Sequence, residues 1–69
     1  MTVQEVNTVA SGLIRKYDWH TAEIDNGVRL TVTDNQENAS VDITAGEDIA
    51  GEINKLIEQV DAHNYTVIG

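Results

Sequence analysis

Along Trp19-His20-Thr21-Ala22-Glu23-Ile24-Asp25-Asn26-Gly27-Val28-Arg29-Leu30-Thr31-Val32, apolar and polar side chains alternate on either side of the turn-forming triplet Asp25-Asn26-Gly27. A period of two is the pattern of a strand with one buried face, so the stretch reads as two strands of an antiparallel hairpin. His20, Ala22 and Ile24 form the apolar face of the first strand, and Val28, Leu30 and Val32 that of the second. Parity then selects the turn. A two-residue turn at Asn26-Gly27 places Asp25 and Glu23 on the apolar face. A three-residue turn, with Gly27 left-handed in a bulge, pairs Ile24 with Val28 and Ala22 with Leu30 instead. The three-residue turn is therefore expected.

Outward from this hairpin the same alternation continues in Ala39, Val41 and Ile43, a third strand joined through Asp34-Asn35-Gln36-Glu37. An even loop keeps Val32 with Ala39 and Leu30 with Val41. On the N-terminal side, Thr2-x-x-Glu5 has the form of a capping box, and Val3, Val6, Val9, Ala10, Leu13, Ile14 and Tyr17 recur at helical spacing, predicting a helix to about Lys16. On the other side, Thr44-x-x-Glu47 repeats the box before Ile49, Ile53, Leu56, Ile57 and Val60, predicting a helix to about Ala62. Tyr65-Thr66-Val67-Ile68 reads either as a short fourth strand beside the first or as a frayed tail. The fold class is α+β: one domain over residues 1–69 in the order α-β-β-β-α, with both helices on one face of an antiparallel sheet. The expected open face carries Glu23, Arg29 and Asp42 in one row, then Thr21, Thr31 and Ser40, then Trp19, Thr33 and Asn38.

Sixty-nine residues bury only about 60% of the unfolded chain's surface, so the core is small. With no cysteine there is no disulfide framework, and the N-terminus has no basic, apolar leader. A soluble cytoplasmic protein is expected, without a membrane span. The net charge is −8. Direct nucleic-acid binding needs Lys and Arg to displace counterions, so this charge points to basic protein partners instead. Between Arg29 and Lys55 stand Asp34, Glu37, Asp42, Glu47, Asp48 and Glu52 with no cation among them. That run either attracts such a partner or keeps the chain soluble.

Catalytic and metal chemistry find little support. His20 and His63 have no ligand partners at zinc spacing. The calcium-like Asp34-Asn35-Gln36-Glu37-Asn38 continues with Ala39 where the loop needs Gly and Ala45 where it needs Glu. No nucleophile motif or phosphate loop is present, so neither an enzyme nor a cofactor is expected. Trp19 reads either as an interface anchor on the open face or as a ring folded over the sheet edge or under the first helix. Gly51 falls opposite Ile49 and Ile53, on the exposed side of its helix, where a close partner would favour glycine.

The element order is that of the double-stranded RNA-binding domain, but the acids of the second helix, Glu47, Asp48, Glu52, Glu58 and Asp61 against Lys55, have the wrong sign for it. With a first helix ending in Ile14-Arg15-Lys16-Tyr17-Asp18, acidic residues from Asp34 to Glu37, and Glu47-Asp48-Ile49 opening the second helix, the chain resembles the small acidic anti-CRISPR proteins of phages. The resemblance implies a non-enzymatic inhibitor that places carboxylates where the Arg and Lys of an RNA-guided nuclease receive DNA. Asp34, Glu37, Asp42, Glu47, Asp48 and Glu52 are then the partner-binding set, with Trp19 as anchor. The alternative is a small accessory or structural protein that docks, or forms a homodimer, through its open sheet face.

Overall fold

The structure, a computed structural model, describes the backbone of residues 2–34 and 37–68 and the side chains of those up to 62, apart from that of residue 37. Helix α1, Val3–Leu13, is followed by strands β1, Asp18–Ile24, β2, Gly27–Asp34, and β3, Glu37–Thr44, and by helix α2, Ile49–Ile68. The strands form one antiparallel sheet in the order β1-β2-β3. Both helices cover the same face, α1 over β1 and β2 and α2 over β3.

One core is built from four of the five elements, with Trp19 of β1 packed against it. Val6 and Ala10 come from α1, Val28, Leu30 and Val32 from β2, Ile43 from β3, and Ile53, Leu56 and Val60 from α2; Ile14 completes it. Each fully buried aliphatic of this size contributes roughly 1.5–3 kcal/mol, and no buried polar side chain offsets that gain among the described residues.

The β2–β3 register follows from the alternation as read: Val32 lies opposite Ala39, Leu30 opposite Val41 and Arg29 opposite Asp42. The ladder continues to Asp34 opposite Glu37, which leaves residues 35 and 36 of the expected four-residue loop outside the described residues.

The β1–β2 hairpin departs from expectation. Ile24 pairs with Gly27, Ala22 with Arg29, Thr21 with Leu30 and Trp19 with Val32, so the turn is the two residues Asp25-Asn26, and Gly27 begins β2 without a left-handed backbone. Trp19, Thr21 and Glu23 therefore share the helix side of β1, while His20, Ala22 and Ile24 share the open side. The acid that argued against this parity costs little, because Glu23 lies near the end of an edge strand and stays exposed. In return, Trp19 packs against the core and the Thr21 hydroxyl donates to the Asn7 side-chain oxygen of α1. The largest side chain of the chain thus decides the face.

Helix ends are also displaced. Thr2 caps α1 as expected, its Oγ1 accepting from the Glu5 N–H at 3.2 Å. The helix stops at Leu13 rather than Lys16, because Ile14 turns extended (φ −100, ψ 105) and enters the core, 4% exposed. Arg15 and Lys16 fall in the connection, and Tyr17 reaches α2, where its hydroxyl donates to the Asp61 carboxylate. The Thr44/Glu47 pair forms, with the Glu47 carboxylate accepting from the Thr44 N–H at 2.9 Å, but it closes a turn rather than opening the helix. Gly46, at φ 92, supplies that turn's left-handed residue, and α2 starts only at Ile49. Residues 65–68 continue α2 as helix, so they add no fourth strand. Gly51 is half-buried rather than exposed, and a Cβ there would lie 2.7 Å from Oδ2 of Asp48, the end of a side chain that can swing aside.

Gly12 is the contrasting glycine: exposed, inside α1, with nothing within 4 Å of where a Cβ would stand. Gly12→Ala is expected to stabilise the chain by up to about 1 kcal/mol, raising the Tm by roughly 5 °C in a thermal melt.

Candidate functional site

The fold divides the acidic run. Asp34 and the backbone of Glu37 sit at one end of the β2–β3 ladder, and Thr44, which leads to Glu47 and Asp48, pairs with Gly27 at the other. Seven residues of strand separate the two ends, about 24 Å at the usual rise. Asp42 lies between them on the open face, where Arg29 donates to it through Nε at 2.7 Å and through a terminal nitrogen at 3.2 Å. That pairing holds the Asp42 carboxyl below its ordinary range and raises the guanidinium. Asp42 is thus a neutralised member of the set. The open face itself reads Asp18, Thr33 and Asn38, then His20, Thr31 and Ser40, then Ala22, Arg29 and Asp42. Trp19 is not on it, which removes Trp19 as an open-face anchor and leaves it packed on the helix side.

Glu47, Asp48 and Glu52 do come together, at the start of α2. Glu47 and Asp48 are exposed, Glu52 is half-buried, and the Asp48 carbonyl accepts from the Glu52 N–H at 2.9 Å. They are joined by acids that a run along the sequence does not contain. Thr2 of α1, Glu23 and Asp25 of the β1–β2 hairpin, and Thr44 and Ala45 of the β3–α2 turn line one cleft. Thr2 and Glu5 share a second depression with Ile49 of α2. Glu5, Glu23, Asp25, Glu47, Asp48 and Glu52 therefore belong to one end of the molecule. Against these six stands Lys55, 3.6 Å from Glu52; the other six carboxylates share the rest of the molecule with Arg15, Lys16 and Arg29.

Topology is the cause. In an α-β-β-β-α chain with alternating direction, the start of α1, the first hairpin and the start of α2 must meet at one end of the sheet. Both helix N-termini carry partial positive charge, which stabilises nearby carboxylates by about 0.3–1 kcal/mol each at low salt. That accounts for Glu5, Glu47, Asp48 and Glu52. It does not account for Glu23 and Asp25, which come from the hairpin and form no ion pair among the described residues.

Glu47 is held below its ordinary value of 4.5, first by the Thr44 hydroxyl and then by the Thr44 N–H. A carboxylate with a lowered folded value contributes stability above its unfolded value and loses it as pH falls through the folded one. Thermal stability is therefore expected to hold down to about pH 5 and to decline below it. Glu47→Gln should flatten that decline in melts recorded from about pH 6 to about pH 3.

Among the described residues no three His, Asp or Glu are placed to hold a metal ion, and no helix is long and apolar enough to cross a membrane. No protein-family model, no curated protein and no solved structure matches the chain.

Proposed function

We propose that this chain is a non-enzymatic binding protein whose acidic end occupies the cationic, nucleic-acid-binding surface of another protein, and so inhibits it. The observation that carries the reading is the convergence of six carboxylates from four segments, two of them, Glu23 and Asp25, coming from the hairpin rather than from a helix N-terminus. A surface lined with Arg and Lys for phosphates is complementary to such an end and is reached faster through its long-range field. An RNA-guided nuclease is one target of this kind, in keeping with the anti-CRISPR resemblance of the sequence. Asp34 and Glu37, at the far end, and Asp42, already paired, are secondary to Glu23, Asp25, Glu47, Asp48 and Glu52.

The immobilised chain should retain basic proteins from a cell lysate at low salt, and short duplex DNA should release them by competing for the same surface. Retained proteins that DNA cannot displace, or binding that does not weaken with ionic strength, would remove the basis for charge mimicry.

A further inference from the structure

A second feature of the molecule lies along the free edge of β1. The strand pairs only with β2, so alternate N–H and C=O groups of Asp18–Ile24 face outward, and no other described backbone group caps them. The register of this edge is continuous without a bulge, β1 contains neither Lys nor Pro, and its charged side chains, Asp18 and Glu23, are both acidic. Beside this edge runs an open channel walled by Gln4, Asn7, Thr8 and Ser11 of α1, with Trp19, His20 and Thr21 on the β1 side. The Thr21–Asn7 hydrogen bond ties the two walls together, while the Thr8 and Ser11 hydroxyls turn back to the α1 carbonyls of Gln4 and Thr8.

Charge selects the occupant. Neither α1 nor β1 contains Lys or Arg; Glu23 continues the Trp19–Thr21 side of β1 toward the acidic end, and Arg15 and Lys16 follow α1 at the other. The half-buried Trp19 offers an aromatic face to which a cation is attracted. We infer that this channel takes an extended, Lys- or Arg-bearing segment of the partner, added to the sheet as a strand beside β1 with its cations toward Glu23. Backbone ladder bonds supply affinity, and the tryptophan and acids supply selection. The inference rests on the proposed basic partner and adds how part of it is held.

The probe is the peptide acetyl-(Val-Lys)4-amide, compared with the same peptide N-methylated at every residue, which keeps the charge but has no backbone N–H to donate and cannot form a ladder. Amide NMR of the labelled protein should show saturable shifts in β1 and along Gln4 to Ser11 with the first peptide only, together with slowed exchange of β1 amides. Thr8→Lys with Ser11→Lys, both at exposed positions, should weaken that binding at least about tenfold without lowering the Tm. Equal binding of both peptides, shifts centred on β3 or on the acidic end, or β1 shifts that depend on protein concentration alone, as for a second copy, would each overturn the inference. If the lysine pair leaves a DNA-displaceable partner bound while reversal of Glu23 and Asp25 releases it, the channel falls and the charge reading stands.

Discussion

Gly27→Ala is expected to cost about 3 kcal/mol, lowering the Tm by roughly 12–24 °C, because a Cβ at residue 27 would sit 2.0 Å from the backbone oxygen of Ile43. A side chain can swing aside, but this obstacle is the β3 backbone opposite the start of β2, so relief requires the ladder to shift. Total stability for a domain of this length is of order 3–10 kcal/mol, and the variant should be partly unfolded near physiological temperature. Asparagine sharpens the comparison. A left-handed glycine in a bulge would tolerate Asn, whereas a glycine needed for close approach would not. Gly27→Asn should therefore be as damaging as Gly27→Ala, measured by denaturant titration of both, and a near-neutral Asn variant would restore the three-residue turn.

That hairpin marks where the sequence stops being legible. Alternation alone identified three strands, and in β2 and β3 it also fixed the register, because Val28, Leu30, Val32, Val41 and Ile43 leave one choice of buried face. β1 offers two nearly balanced faces: His20, Ala22 and Ile24 against Trp19, Thr21 and Glu23. Counting apolar residues favours the first, and burying the one large aromatic favours the second. Helix ends were similarly displaced by tertiary demands, Ile14 leaving α1 to enter the core and Gly46 inserting a turn before α2. The acidic end was hidden for another reason. Glu5, Glu23 and Asp25 are distant in sequence from Glu47, and only the alternating direction of the elements brings them together. The expected order α-β-β-β-α already contained that information, whereas a count of consecutive acids pointed to Asp34, Glu37 and Asp42 as well.

Joint reversal of Glu23, Asp25 and Glu52 to Lys is the second large effect. Glu23 and Asp25 are exposed and should each alter stability by roughly 0.5 kcal/mol or less, whereas Glu52, half-buried in the first turn of α2 and paired with Lys55, should cost about 1 kcal/mol. Binding should respond on another scale. Each substitution replaces an attraction to the cationic surface with a repulsion, and a combined loss of about 100-fold at low salt, or about 2.7 kcal/mol, is expected, mostly through slower association. Glu58→Lys, an exposed reversal on α2 outside the acidic end, changes net charge by +2, as each single reversal does, against +6 (three times +2) for the triple variant, and should have an effect of only a few-fold.

The affinity of the DNA-displaceable partner for the wild type, the triple variant and Glu58→Lys, titrated at low and at high ionic strength, tests the charge reading most directly. The account predicts a large deficit for the triple variant alone, shrinking as salt rises. Equal affinity of all three proteins at low salt would contradict it, and would leave the acidic end as a feature of solubility and helix capping.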